Sequence, residues 1–350
     1  GARTAILSSD PEYVFSSEER KLIISVKVGI SGRPVIVESL MQLLNVSRNT
    51  ILTEVTELRG ILKQKEVFLK SHSKGGYDLD GDEIMVRNAV IECLNQPENL
   101  KMQQIMEEMI TEAVNAKTGR NRERNELFGA LRGIIQSAEN CTSGQFSSNA
   151  VTEIAYYLCI VYLRQGKNGA VTTDGEISRL PEYRAAELVT GRMEALGMKI
   201  AEEELCYIAT VMMGARLQQF NETYGNREPI LSEFAEDLLR TFEQKALVEF
   251  PDKTRLKEQL MVHLRPMYYR LKYSIHVDHQ FSGIVIQQYR DLYNLTDLAV
   301  KTVEDKYGFR VPAEEIAYLA IFFGSFVKYH GSREKSQSGT ILIVCAAGVS

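Results

Sequence analysis

The sequence predicts a mostly α-helical protein made of more than one domain. Apolar residues recur with helical periodicity along most of the 350 residues, and runs typical of β-strands are few and short. Two helical patterns also appear twice in the same order, which indicates that a helical module has been duplicated. At about 100–200 residues per domain, the length allows two to four domains.

Composition and charge restrict the possible functions. The chain is 44% hydrophobic and 25% charged, as in an ordinary globular protein, and its net charge is −5. A surface that binds nucleic acid must therefore be local. No apolar run reaches the ~18–20 residues of a membrane span, and no signal peptide is recognisable. Five scattered cysteines do not suggest a disulfide framework, so we expect a reducing, cytoplasmic location without membrane contact.

The first expected helix covers residues 15 to 30, and the Ser-Ser-Glu-Glu sequence at 16–19 marks its start. Gly and Pro in residues 31–34 interrupt the pattern. A short helix is then expected over residues 35–44, and a turn at Asn45 and Val46 ends it. Its apolar face is formed by Ile36, Leu40, Leu43 and Leu44.

Ser47 is placed to cap a longer helix, from residue 48 to about 63. Its expected buried stripe consists of Ile51, Leu52, Val55, Leu58 and Leu62. Helix, tight turn and capped helix form the helix-turn-helix pattern. Two short strands around the Lys-Gly-Gly sequence at 74–76 are interpreted as a wing. Residues 15–83 are therefore predicted to form a winged helix-turn-helix domain.

The local charge of this region suits double-stranded DNA. Residues 59–74 contain five basic side chains and one acid, Glu66, and basic residues provide most non-specific affinity for phosphates. The start of the second helix is where this motif makes base contacts. Charge alone would favour a merely solvated face; the motif and the wing favour DNA. The expected DNA-contacting residues are Ser47, Arg48, Asn49, Thr53, Lys63, Lys70 and Lys74.

Residues 84–124 look helical and are interpreted as a connector to the duplicated modules, which cover residues 125–224 and 230–329. The duplication depends on two patterns that recur about 110 residues apart. In the first, Tyr157, Leu158, Tyr162 and Arg164 align with His263, Leu264, Tyr268 and Arg270. In the second, Glu204, Tyr207 and Gly214 align with Glu315, Tyr318 and Gly324.

These two patterns resemble the PTS regulation domain (PRD), a helical module of bacterial regulators that respond to sugars. Tandem copies occur in BglG-type antiterminators and in mannitol-activator-type transcription factors. The helix-turn-helix and wing segments at 45–50 and 76–83 resemble the mannitol-activator type. The resemblance implies a fold of a winged helix followed by two tandem helical-bundle PRD modules.

In that family, each module usually carries two histidines that accept phosphate from phosphotransferase-system proteins. The resemblance implies that only His263 is kept here, and that its Pro266-containing helix is the phosphorylation site. The other three positions are occupied by Tyr157, Val211 and Phe322, which cannot accept phosphate in this way. A phosphate on His263 is expected to meet cations that are close in sequence. These are Arg265, Arg270 and Lys272.

Residues 340–350 form a buried-strand pattern followed by Cys345 and a loop of small residues. This end resembles the first strand and phosphocysteine loop of an α/β enzyme IIB-like domain. Backbone N–H groups of such a loop favour a thiolate and a phosphate, so Cys345 is the second expected phosphorylation site. A buried structural cysteine is the alternative interpretation.

No catalytic motif, cofactor fingerprint or convincing metal site is found, so we do not expect an enzyme. His276, Asp278 and His279 lack a third ligand, and an exposed segment is the better interpretation. The resemblance implies a homodimeric DNA-binding activator of a sugar operon. Its expected partners are double-stranded DNA and the phosphotransferase proteins HPr and enzyme IIA or IIB. Two alternatives stay open: a virulence-type regulator whose degenerate PRDs only dimerise, and an RNA-binding antiterminator.

Overall fold

The computed structural model describes residues 13–72, 76–97, 99–167, 177–220, 229–275 and 282–326. This part of the chain is mostly α-helical, which confirms the predicted fold class. The α-helices of the first half are α1 Ser17–Ile30, α2 Val37–Leu44, α3 Arg48–Gln64, α4 Glu83–Asn95, α5 Leu100–Thr118, α6 Arg124–Ser137 and α7 Ser148–Arg164. Those that follow are α8 Pro181–Met193, α9 Leu205–Gly214, α10 Pro229–Ala246, α11 Lys253–Tyr273, α12 Ser282–Gln288, α13 Arg290–Tyr307 and α14 Ala313–Phe326.

Within the described residues, the strands form two small antiparallel sheets. In the first sheet, β3 Gly76–Asp80 lies between β1 Val35–Ile36 and β2 Phe68–Ser71. In the second, β4 Gly144–Phe146 pairs with β5 Leu217–Phe220. The pairing of β2 with β3 supplies the two strands expected of the wing.

Helix α1 begins where the sequence predicts. The Ser16 hydroxyl accepts a hydrogen bond from the Glu19 amide at 3.2 Å, and the Glu19 carboxylate accepts one from the Ser16 amide at 2.8 Å. This reciprocal capping box satisfies two of the N–H groups that a helix start leaves unpaired.

Helices α2 and α3, joined by a tight turn, lie where the helix-turn-helix is predicted, with two local corrections. Residues 35 and 36 form strand β1, not the first turn of α2, because they pair with Tyr77 and Gly76 of β3. Ile36 is consequently 43% exposed, outside the predicted apolar face. Asn45 ends α2 in the left-handed region with φ 55°, and Ser47 caps α3 through a 3.2 Å hydrogen bond from the Thr50 amide.

The second correction concerns the buried stripe of α3. Leu52 was expected in it but is 38% exposed, while Glu54 is buried. Glu54 accepts a 2.6 Å hydrogen bond from Nε of Arg20 in α1, so an ion pair forms part of the packing between α1 and α3. The pattern of apolar residues does not predict that Glu54 is buried, because a buried carboxylate needs a cation that comes here from a distant part of the chain.

The chain divides into two compact units by its internal contacts. The first contains α1–α6, β1–β3, α8 and nearly all of α7 and α9. The second contains β4, β5 and α10–α14. The winged-helix region therefore shares one unit with the helices of the first predicted module.

An aromatic cluster forms much of the core of the second unit. Phe242 and Phe323 stack with their ring centroids 3.9 Å apart, and Phe250 stacks against both. This core joins α10, α11, α13 and α14, so it fixes α11 and α14, the two helices that carry the second copy of the sequence repeat. Among the described helices, none combines the length and the apolarity that a membrane crossing requires.

Candidate functional site

His263 lies in the middle of α11, on a half-buried part of its surface. Its ring meets the edge of Phe322 in α14, with the centroids 5.6 Å apart and the planes at 64°. These are the two positions that the family resemblance assigns to phosphoacceptor histidines in the second module. The structure brings them together, and Phe322, which is buried, packs in the core beside the single histidine.

Arg270 lies two helical turns after His263 and is bound in a buried ion pair. Its Nε and Nη2 atoms donate to the two carboxylate oxygens of Glu315 at 2.7 and 2.8 Å. Its Nη1 atom donates to the carbonyl of Gly214, the last residue of α9, at 2.8 Å. This fork of three bonds holds α11, α14 and the end of α9 in register. Arg270 therefore has a structural partner already.

The charge state of His263 follows from its surroundings. Desolvation and the positive charges of Arg270 and Arg216 lower the pKa of His263 to about 4, and the opposing charge of Glu315 is too weak to prevent this. The imidazole is consequently neutral at pH 7 and retains a nitrogen lone pair. A neutral ring is the form that can act as a nucleophile.

The other two expected phosphate-neighbouring cations, Arg265 and Lys272, each contact a tyrosine ring of α11. Arg265 is buried, with its guanidinium carbon 4.9 Å from the centroid of the Tyr269 ring. Residues two apart on a helix do not face each other, so Arg265 and His263 lie on different sides of α11. Lys272 is exposed, and its Nζ atom is 5.1 Å from the Tyr273 ring.

Arg216 is a neighbour of this site that sequence reasoning missed. It is half-buried, lies between α9 and β5, and places its guanidinium carbon 4.6 Å from the ring centroid of Tyr318. Tyr318 precedes Phe322 by one turn on α14, so this arginine approaches the face that His263 contacts. No local pattern marks Arg216, since it lies in a short connection far from His263 in sequence.

The corresponding position in the first predicted module, Tyr157, is buried. The hydroxyl of this α7 residue lies 3.2 Å from Oδ1 of Asn88 in α4. Its ring meets the edge of Tyr207 at a centroid distance of 6.3 Å. Val211 is buried in α9. Neither predicted degenerate position is thus accessible to a phosphate donor within this unit.

The exposed start of α3 carries the predicted DNA-contacting side chains. Arg48, Asn49 and Thr53 are exposed, whereas the opposite face of the helix packs into the winged-helix core. Arg48 forms a 2.6 Å ion pair with Glu38, in which both side chains are more than half exposed. Such an exposed pair contributes little free energy, so a phosphate can replace Glu38 at small cost.

The remaining basic candidates surround the wing. Lys63 is exposed near the end of α3, and Lys70 of β2 forms an exposed 2.8 Å pair with Asp80. Arg59 connects α3 to the wing, since its Nε atom donates to the carbonyl of Leu69 at 3.3 Å and its guanidinium bonds the Ser71 hydroxyl. Lys74 and Cys345 lie outside the described residues, as do His276, Asp278 and His279.

Comparison with known proteins identifies one domain. Residues 236–326 match the PRD domain family, so this chain contains a PRD domain that includes His263, Arg270 and Glu315. The chain is 20% identical over 347 residues to the "Probable licABCH operon regulator" of Bacillus subtilis (strain 168), covering 95% of this chain and 51% of that protein. The similarity to PRD-containing regulators that the sequence suggested is therefore confirmed.

Two further relatives are similar at the same level. The "Transcriptional regulator ManR" of Bacillus subtilis (strain 168) is 20% identical over 341 residues, covering 95% of this chain and 50% of that protein. The "Stationary phase-inducible protein CsiE" of Escherichia coli (strain K12) is 19% identical over 337 residues, covering 93% of this chain and 78% of that protein. The chain spans about half the length of the first two relatives. The names of those two relatives describe an operon regulator and a transcriptional regulator.

Proposed function

We propose that this chain is the DNA-binding and phosphate-sensing part of a transcriptional activator of a sugar-utilisation operon. One combination of features carries the proposal. The same chain holds a helix-turn-helix whose second helix presents exposed polar residues and, in its PRD domain, a half-buried neutral histidine. The names of the relatives at 20% identity, an operon regulator and a transcriptional regulator, support it.

The chemistry at His263 is phosphoryl transfer from a phosphohistidine of a donor protein such as HPr or enzyme IIA. The lone pair of the neutral His263 ring attacks phosphorus and forms a new N–P bond. The N–P bond of the donor breaks, and its electron pair returns to the donor imidazole. A proton leaves the second nitrogen of His263 while the donor ring takes one up, so charge and atoms balance. The lowered pKa of His263 favours this reaction, since a protonated ring has no free lone pair.

The phosphate adds negative charge beside a buried ion pair and one half-buried arginine. Arg270 already neutralises Glu315 through two charge-assisted bonds. Arg216 lies across Tyr318 from the same helix face, and we propose it as the main partner of the phosphate. Arg265 and Lys272 remain predictions for this role. The new charge would alter the packing of α11 against α14 and thereby the spacing of two winged helices in a homodimer.

The phosphorylation proposal is tested with the purified full chain. It is incubated with enzyme I, HPr, candidate enzyme IIA or IIB proteins and radiolabelled phosphoenolpyruvate, and acid-labile label is counted. We expect labelling that falls in His263→Ala and disappears in the double variant with Cys345→Ala. The matched control is His72→Ala, which removes an exposed histidine of the wing region and is expected to label fully. Unchanged labelling of the double variant would contradict the proposal.

The DNA proposal is tested by fluorescence anisotropy with duplexes from the promoter region beside the gene. Asn49→Ala is expected to relax sequence preference, at about 1–3 kcal/mol for a lost base contact. Lys63→Ala should weaken binding to all duplexes alike and reduce the salt dependence of the binding constant by about one released counterion. Lys301→Ala, an exposed lysine of α13, is the control and should change nothing. Binding to hairpin RNA in preference to duplex DNA would select the antiterminator alternative.

One observation favours the second candidate, a regulator whose PRDs only dimerise. Tyr157, Val211 and Phe322 occupy three of the four positions that carry histidine in the family, and all three are buried. If His263 accepts no label while the protein remains a DNA-binding dimer by analytical ultracentrifugation, this candidate replaces the phosphate switch.

A further inference from the structure

A buried chain of four charges lies inside the first unit. Glu83 and Arg87 of α4 lie between Arg164 of α7 and Glu204, which precedes α9. Their side chains are almost completely buried, and two positive and two negative charges leave the chain neutral. Buried charges of this kind persist only when they are paired and fully hydrogen-bonded.

The bonds form a continuous path. Arg164 donates through Nε and Nη2 to the two oxygens of Glu83 at 2.7 and 2.8 Å. Arg87 donates through Nε to Glu83 at 2.9 Å, and through Nη1 and Nη2 to the two oxygens of Glu204 at 2.6 and 2.7 Å. The Arg87 guanidinium also lies 4.8 Å over the ring of Tyr207.

The second module contains the simple form of the same arrangement. Arg270 and Glu315, which align with Arg164 and Glu204 in the sequence repeat, bind each other directly. In the first unit, the equivalent arginine and glutamate are separated, and the Glu83–Arg87 pair stands between them. In the first unit, the Glu83–Arg87 pair of α4 therefore bridges Arg164 and Glu204, whereas the equivalent residues of the second module bind each other directly.

The same arginines also hold the end of a preceding helix. Arg270 donates to the carbonyl of Gly214, the last residue of α9. Arg164 donates instead to the carbonyl of Gly29 in the last turn of α1, at 2.7 Å. Carbonyls at a helix C-terminus lack intrahelical partners and favour a cation, so this bond ties α7 to the winged helix.

We propose that Glu83 and Arg87 form a latch that docks the DNA-binding head, residues 17–80, onto the first module. With the latch closed, head and module are one cooperative unit, and Tyr157 is sealed by Asn88 of the same latch helix. The first module then acts as a rigid mount for the DNA-binding head and not as a phosphate acceptor. The latch itself depends on the contacts of the first unit alone, whereas its role as a mount for a DNA-binding head rests on the proposed function.

Hydrogen exchange of the full chain, followed by mass spectrometry, tests the latch. The double variant Glu83→Gln/Arg87→Gln removes one negative and one positive charge, so the net charge of the buried cluster stays zero while its central ion pair is lost. We expect exchange in α1 and α4 to rise at least about tenfold, because a buried ionic network is lost. Exchange in α11 and α14 should remain at the wild-type rate.

The matched control is Arg270→Gln/Glu315→Gln, which removes the direct pair of the second module. It should raise exchange in α11 and α14 and leave α1 and α4 unchanged. Wild-type exchange of α1 and α4 in the latch variant would overturn the proposal, as would an equal rise along the whole chain. If the latch variant does not fold, Glu83→Asp keeps the charge but shortens the reach; it should raise exchange in α1 and α4 about threefold or more, and no change would overturn the proposal.

Discussion

The lowered pKa of His263 predicts that acid weakens the second unit through this one ring. Above pH 6.5 the ring is neutral in both the folded and the unfolded chain, so it does not affect stability. Below pH 6.5 the unfolded chain binds a proton that the folded chain does not bind until about pH 4. The free energy of unfolding must therefore fall as the pH decreases from 6.5 to 4.

The magnitude follows from the two pKa values. A difference from about 6.5 to about 4 corresponds to about 3 kcal/mol once both states are fully titrated. At pH 5, where only the unfolded ring is largely protonated, the loss is at most about 2 kcal/mol, because the half-buried ring is partly screened by solvent. His263→Gln removes the titrating group. Between pH 7 and pH 5, the free energy of unfolding of this variant should therefore fall less than that of the wild type, by this amount.

Two measurements check this prediction. The pH titration of histidine ring resonances by NMR should contain one signal that stays neutral down to pH 5 and is missing in His263→Gln. Urea unfolding at pH 7 and pH 5 should show the smaller acid loss in His263→Gln but not in His72→Gln, the exposed control. A ring signal of His263 with a midpoint near 6.5, or equal acid loss in both variants, would refute the reasoning.

Three further predictions concern the packing of the two units. Arg270→Met removes the bidentate cation that binds the buried Glu315 and should lower the free energy of unfolding by about 3–5 kcal/mol; adding Glu315→Met should restore most of it, as measured by urea unfolding. Arg59→Met removes the connection between α3 and the wing and should weaken duplex binding in anisotropy titrations while thermal stability changes by less than about 1 kcal/mol. Gly29→Ala places a methyl group 2.3 Å from Cγ2 of Val90, so it should lower the melting temperature by several degrees in calorimetry, by overpacking of about 1–3 kcal/mol.

Local chemistry made several elements predictable. The capping box at Ser16 and Glu19, the left-handed Asn45 and the Ser47 cap all act within four residues, and each lies where the sequence indicates. The exceptions needed distant partners. Ile36 became part of a strand because β3 was available to pair with it, and Glu54 became buried because Arg20 supplied its counter-charge.

The His263 site was predictable in part. The repeat and the family resemblance pointed to His263 and to the residues that occupy the other three positions, since spacing along a helix is a local property. The partners of the arginines were not predictable. Arg270 was expected beside a phosphate but binds Glu315, and Arg216 was not considered because it comes from a connection that only folding brings near α14.

The sequence by itself determined the helical fold class, the two helices and tight turn at residues 37–64 and the similarity to PRD-containing regulators, because periodicity, capping and motif spacing depend on short stretches of chain. Only the tertiary structure decided which buried charges meet. Arg164 and Arg270 occupy equivalent positions in the repeat but bind glutamates that are not equivalent. Arg164 binds Glu83, and Arg270 binds Glu315. The physical reason is that a buried charge is stabilised by whichever counter-charge the packing places within about 3 Å, and that distance is a property of the whole fold.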